Sequence, residues 1–190
     1  MENNRPLSGR VAWVTGGSSG IGAATCRTLT ELGATVGNLD RNAPAHKSAP
    51  FVEIDIADEA SVQAATGALT NLIGPPDILV CSAGISPPGV PLVDLDPQAW
   101  RRILDVNLTG SFLCVRAVLP GMMERRFGRI VTVASGAGVR VYPGAGPYAA
   151  SKAGLIALTK VVAHEGAPHG VTANVVAPGL TDTPMTRALG

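Results

Sequence analysis

The sequence predicts an α/β fold, one domain over residues 1–190 built on a doubly wound parallel sheet flanked by helices. Two observations carry this expectation. Short apolar runs alternate with segments of helical periodicity along the whole chain. Short apolar strands joined by helices imply a parallel sheet covered on both faces. Segments rich in Gly, Pro and Ser follow the ends of the runs: Thr15 to Gly20, Ala83 to Gly89, Ser135 to Gly146 and Pro178 to Pro184. In such sheets ligands bind beyond the carboxyl ends of the strands, so these four loops are expected to converge on one rim.

The elements follow in order. Val11 to Val14 is the first strand and runs into a glycine turn. Ile21, Ala24, Leu29 and Leu32 have helical spacing, and Gly33 is a suitable residue to end that helix. Ala34 to Leu39 reads as the second strand, ending at Asp40, and Phe51 to Ile54 as the third. A helix is expected near Glu59 to Leu72, then a fourth strand over Asp77 to Val80. The next helical region, about Pro97 to Arg126, is expected to bend near Asn107 and Gly110 and again at Pro120-Gly121. Arg129 to Ala134 is the fifth strand. Pro147 to Glu165 is a helix with proline in its first turn, where the missing N–H is harmless, and Val171 to Val176 is the sixth strand.

Composition narrows the function. Fifteen basic residues against fourteen acidic ones leave a net charge of +1, which argues against a nucleic-acid or polybasic membrane binder. The polar N-terminus has no apolar signal core, and no uninterrupted apolar stretch is long enough to span a bilayer. Cys26, Cys81 and Cys114 are odd in number, far apart and without metal-ligand spacing. They read as small buried hydrophobes in a reducing, cytoplasmic setting.

The glycine turn is Thr15-Gly16-Gly17-Ser18-Ser19-Gly20-Ile21-Gly22. Between a strand and an amphipathic helix, such a turn brings backbone N–H groups and a helix N-terminus against a pyrophosphate that a β-carbon would obstruct. Asp40, at the end of the second strand, is placed to accept both ribose hydroxyls and to repel a 2′-phosphate. That favours NAD over NADP, although Arg41 follows it. Asp55, with Ile56 after it, stands at another rim position, as an adenine contact or a turn residue.

Tyr148 and Lys152 are four residues apart, on one helix face. A nearby ammonium favours the phenolate and makes the phenol a usable proton donor and acceptor. Ser135, just past the fifth strand, has a hydroxyl able to share a substrate oxygen with Tyr148. Asn107 sits where Asn disfavours a helix and is expected to open a backbone carbonyl to a water leading toward Lys152. His164 and His169 lie away from the rim.

With these pieces in place, the chain resembles the classical short-chain dehydrogenases/reductases. The matching residues are Thr15 to Gly22, Asp55, Ala83-Gly84, Asn107, Ser135, Tyr148, Lys152, Pro178-Gly179 and Thr183, in family order. The resemblance implies a Rossmann-like fold and a nicotinamide cofactor. It implies Tyr148 as acid/base, Ser135 orienting the carbonyl or alcohol, and Lys152 lowering the Tyr148 pKa and holding the nicotinamide ribose. Asn107 would anchor a relay water, and Pro178-Gly179-Leu180 and Thr183 would border the nicotinamide.

Two departures stand out. Cys81-Ser82-Ala83-Gly84 replaces the usual Asn-Asn-Ala-Gly, which removes the side-chain hydrogen bonds of the first two positions. Family members also continue past the point matching Gly190 with a substrate-covering helical segment and a seventh strand, so the chain is expected to be truncated or an unusually short member. The activity expected is NAD(H)-dependent interconversion of a small, mostly apolar secondary alcohol and its ketone. Its pocket would be bordered by Ile85 to Val90, by Gly136 to Val141, and by whatever follows Leu189. A homo-oligomer, dimer or tetramer, is expected through the two long helices at about 108–126 and 147–165. The competing reading is a catalytically inert nucleotide-binding regulator or scaffold of the same fold.

Overall fold

The computed structural model describes residues 5–45, 49–86 and 89–188. Six strands form one parallel sheet in the order β3-β2-β1-β4-β5-β6. They are β1 (Val11–Thr15), β2 (Thr35–Asp40), β3 (Phe51–Glu53), β4 (Ile78–Cys81), β5 (Gly128–Val133) and β6 (Val171–Val176). The helices are α1 (Gly20–Glu31), α2 (Glu59–Ile73), α3 (Pro97–Leu104), α4 (Gly110–Glu124), α5 (Gly146–Gly166) and the short α6 (Pro184–Arg187). The strand order reverses between β1 and β4, and their carboxyl ends open a crevice there.

Two apolar layers hold the sheet. On one face Trp13, Leu39, Leu79 and Ile130 pack with Leu69 of α2, Met122 of α4 and Val162 of α5. On the other, Ala12, Val14, Val36 and Val80 pack with Cys26 of α1. The strands β1 and β4 are buried along nearly their whole length, and apolar but for Thr15, because helices cover both their faces. The expectation of two covered faces holds only in part at β5 and β6. On the α1 side Val131 and Val133 of β5 are partly buried against the Cys26 cluster, whereas Thr172, Asn174 and Val176 of β6 are exposed.

The bend expected at Asn107 is a π-helical turn, Asp105–Thr109, between α3 and α4. The helix is not interrupted at Pro120. Here α4 runs on to Glu124, with Pro120 on its exposed side, where the carbonyl left without a partner faces solvent. One helical run among the described residues, Pro97–Glu124, is long enough to cross a bilayer and contains an 18-residue window with a mean hydropathy of 1.4, but half of that window is buried inside the fold and the run is interrupted by Arg101, Arg102, Asp105 and Arg116.

Candidate active site

The glycine turn closes on backbone that leaves no space for side chains. Gly16 has φ +70°, and a β-carbon there would lie 2.7 Å from the Ala83 Cα. A β-carbon on Gly22 would collide with the Gly16 carbonyl oxygen. Ser19 precedes α1 in an extended conformation and makes no side-chain cap, so the first N–H groups of α1 are left for a ligand. This cradle fits a dinucleotide pyrophosphate.

Thr15 supplies the link that the altered Cys81-Ser82 pair does not. Its buried Oγ1 accepts hydrogen bonds from the Ser82 and Ala83 N–H groups at 3.2 and 3.3 Å. The turn into Gly84 therefore survives, held from β1.

Asp40 is fixed before any ligand arrives. One carboxylate oxygen accepts the Ser18 N–H and the other the Asn42 N–H, each at 3.0 Å. Each oxygen keeps a further lone pair for a ribose hydroxyl. Arg41 is directed toward Asp55, with Nε 3.8 Å from its Oδ2. Asp55 also accepts the Ala57 N–H at 3.0 Å, so it is a turn residue that in addition lines the cavity.

At the other end, β5 delivers Ser135 and α5 delivers Tyr148 and Lys152. Ser135 caps a short 3₁₀ turn, Gly136–Gly138, its Oγ accepting the Ala137 N–H at 3.2 Å. Gly138 packs against the backbone of Lys152, where a β-carbon would approach the Ala153 nitrogen to 2.8 Å, and this holds the turn to α5.

The Lys152 ammonium is buried and donates to the Val133 carbonyl at 2.9 Å. Burial pushes its pKa down to about 8. Burial pushes the Tyr148 phenol above its ordinary value, the Ser135 hydroxyl pulls it back, and Tyr142 adds to the rise. The expected pull of Lys152 on the phenol is thus not what sets it in the free protein. The ammonium is turned onto Val133 and lies 5.6 Å from the Tyr148 ring centroid.

Asn107 is wholly buried and does not line the cavity. Its side chain clamps the β4 loop: Oδ1 accepts the Ile85 N–H at 2.8 Å and Nδ2 donates to the Ile85 carbonyl at 3.0 Å. Its own carbonyl accepts the Ser111 hydroxyl at 3.0 Å.

One cavity of about 470 Å³ joins these parts. Of the residues expected at it, Gly16, Ser19, Gly20, Ile21, Gly22, Asp40, Asp55 and Ile56 line one end. Ala83, Gly84, Ser135, Tyr148, Lys152, Pro178, Gly179 and Thr183 line the rest. Two expectations are corrected. Ser18 is turned to β2, its hydroxyl donating to the Asn42 carbonyl at 2.6 Å and accepting from Asn38. Leu180 is 96% exposed and does not line the cavity. The pocket border expected at Pro87-Pro88 and after Leu189 lies outside the described residues.

The sequence reading missed Leu39, Asn42 and Ile54 in the lining, and a second group, Thr181, Met185 and Thr186, on the segment packed beside Gly20. The last group had a signal: Thr183 with Pro184 and Thr186 is a helix start, and in the structure Thr183 and Thr186 cap each other around α6. The cysteines are buried and unpaired; burial pushes the Cys26 thiol up to about 11 and Cys114 up to about 12.

Lys152 carries a cost as well as a role. Between pH 8 and 10.5 the unfolded chain still holds the proton that folded Lys152 has released, so stability rises with pH through that window. The cost is greatest below about pH 8, on the order of 3 kcal/mol at most, less the lost hydrogen bond to Val133. Lys152→Met is expected to melt higher than the parent at pH 7, and the difference to shrink toward pH 10; thermal melts across that range check it.

Comparison with known proteins agrees with this geometry. Residues 10–190 match the family model for short chain dehydrogenase. The 2-dehydro-3-deoxy-L-rhamnonate dehydrogenase (NAD(+)) of Sphingomonas sp. (strain SKA58) is 39% identical over 185 residues, 94% of this chain and 74% of that protein. The 3-oxoacyl-[acyl-carrier-protein] reductase FabG of Vibrio cholerae is 40% identical, over 96% of this chain and 78% of the relative. The solved aldohexose dehydrogenase of Thermoplasma acidophilum superposes with a TM-score of 0.92 at 31% identity, covering 98% of this chain and 72% of its own. Fold, cradle and relatives agree: the chain belongs to the short-chain dehydrogenase family, whose members work with a nicotinamide cofactor.

Proposed function

We propose that this protein is an NAD(H)-dependent oxidoreductase that interconverts a secondary alcohol and its ketone, with Tyr148 as acid/base. The observation that carries the reading is the shared cavity: Ser135, Tyr148 and Lys152 stand at one end, and the glycine cradle and Asp40 at the other. When bound, the nicotinamide ring accepts or supplies the hydride. The protein's own part is proton transfer and orientation. Ser135 holds the substrate oxygen beside the phenol, and Tyr148 takes the alcohol proton during oxidation and returns it during reduction. Lys152 holds the nicotinamide ribose, with its ammonium anchored on the Val133 carbonyl. Asn107 keeps the Ile85 loop against the cavity, and its backbone carbonyl is the group assigned to a relay water. Gly179, Pro178 and Thr183 border the ring.

Val139, Val141 and Tyr142, 69%, 79% and 58% exposed on the loop between Ser135 and Tyr148, favour a small, mostly apolar substrate. The exposed Phe112 on α4 and Val161 on α5 support a homo-oligomer through the two long helices. Three buried, unpaired thiols support a reducing, cytoplasmic setting.

NAD preference rests on Asp40, whose carboxylate is held at the cavity by two backbone N–H groups, and on one relative whose name specifies NAD(+). A 2′-phosphate there meets a like charge in a fixed position. Fluorescence titration is expected to give tighter binding of NADH than NADPH, by about tenfold or more, and Asp40→Ser to narrow the gap. Tighter NADPH binding by the parent chain contradicts the assignment. Turnover of a panel of secondary alcohols with NAD tests the reaction itself; nucleotide binding without turnover of any of them favours the inert reading.

A further inference from the structure

The buried hydroxyl of Ser151 has no part in the mechanism above, yet it joins the two elements on which that mechanism depends. Ser151 and Asn107 are both wholly buried. The Asn107 Nδ2 donates to Ser151 Oγ at 3.1 Å, and Ser151 Oγ donates to the Tyr148 carbonyl at 2.7 Å. The same Asn107 side chain grips both backbone polar groups of Ile85, which lines the cavity. An unbroken chain of hydrogen bonds therefore runs from the Ile85 loop, through the π turn, to the first turn of α5.

A serine in a helix interior often bonds a carbonyl one turn back. What sets Ser151 apart is the second bond, from another element, which fixes the direction of its proton. The Asn107 amide can donate to Ser151 only if Ser151 accepts there, and the Ser151 proton is then committed to the Tyr148 carbonyl. Asn107 is oriented in the same way by Ile85, so neither group has a free alternative.

We propose that Ser151 is a positioning residue for Tyr148: it ties the turn carrying the phenol to the Asn107 clamp, and so holds the phenol against Ser135. This rests on the proton-transfer role given to Tyr148 above. The influence of Ser135 on the phenol agrees with a side chain held beside it. Removing the Ser151 hydroxyl leaves the backbone of α5 intact, because Ala is a good helix former, but leaves the Asn107 Nδ2 one acceptor short and frees the Tyr148 turn to shift.

The test compares Ser151→Ala with the parent chain in two measurements. In steady-state kinetics with NAD and an accepted alcohol, kcat is expected to fall about ten- to a hundredfold, while KM and NADH affinity stay within about twofold. In NMR of [13Cζ]tyrosine-labelled free protein, the two tyrosines give two signals, and the one lost in Tyr148→Phe is expected to move in Ser151→Ala by more than its linewidth. The proposal is overturned if kcat stays within about twofold of the parent, or if NADH affinity falls as far as kcat, which marks a merely structural role. If the parent chain turns over no alcohol, the proposed function fails on its own, and the tyrosine signal decides alone: movement supports the positioning role, and an unmoved signal overturns it.

Discussion

Tyr148→Phe is expected to lower kcat by about 10²–10⁴-fold while leaving NADH affinity nearly unchanged. The substitution removes one oxygen from a half-buried ring and leaves the cradle at the far end of the cavity untouched. The residual rate reflects hydride transfer with water as the only proton partner. The pH dependence has a definite sign. Burial holds the phenol protonated through neutral pH, so oxidation, which needs the phenolate, accelerates as pH rises, whereas reduction, which needs the phenol, does not. Tyr148→Phe is expected to abolish this difference between the two directions. Initial rates of both, measured from acid to alkaline pH for parent and variant, check it.

The second large effect is at the other end of the cavity. Gly22→Ala places a methyl group on the Gly16 carbonyl oxygen, in backbone that cannot yield without moving the cradle. Overpacking of this kind costs about 1–3 kcal/mol or more, and here it also displaces the N–H groups that face the pyrophosphate. The variant is expected to lose most of its NADH affinity and several degrees of Tm. Gly67→Ala is the control. Gly67 lies inside α2 with open space around its β-position, so alanine there is expected to stabilise by about 0.5–1 kcal/mol and leave NADH binding unchanged. Isothermal titration and thermal melts on the two variants separate a closed cradle from a general intolerance of substitution.

Much of this architecture was legible in the residues because local chemistry and tertiary packing agree. The strands could be read as short apolar runs because helices cover both faces of β1 and β4. The kink at Asn107 could be read because Asn is a poor helix former, and the π turn lies there. What escaped was tertiary. Ser18 sits inside the glycine motif, but Asn38 and Asp40 draw its hydroxyl and N–H to β2, partners 20 and 22 residues away. Pro120 reads as a break, yet its exposure makes the lost hydrogen bond tolerable in α4. The exposed side of β6 carries Thr172 and Asn174, a polar alternation that the residues do show, whereas Val131 and Val133 of β5 look the same whether or not a helix covers them. Spacing places Lys152 beside Tyr148, but only the fold reveals that one donor of its ammonium is anchored on the Val133 carbonyl.

The proposed function requires Tyr148 and a bound nicotinamide ring to share one cavity, with the phenol aimed at the reacting oxygen. A crystal structure with NADH and an unreactive alcohol analogue tests it most directly. The expected result is the Tyr148 hydroxyl at about 2.6–3.2 Å from the analogue's oxygen, beside Ser135 and facing the nicotinamide. A phenol turned away from the ring, or a dinucleotide seated elsewhere than on the glycine turn, contradicts the account.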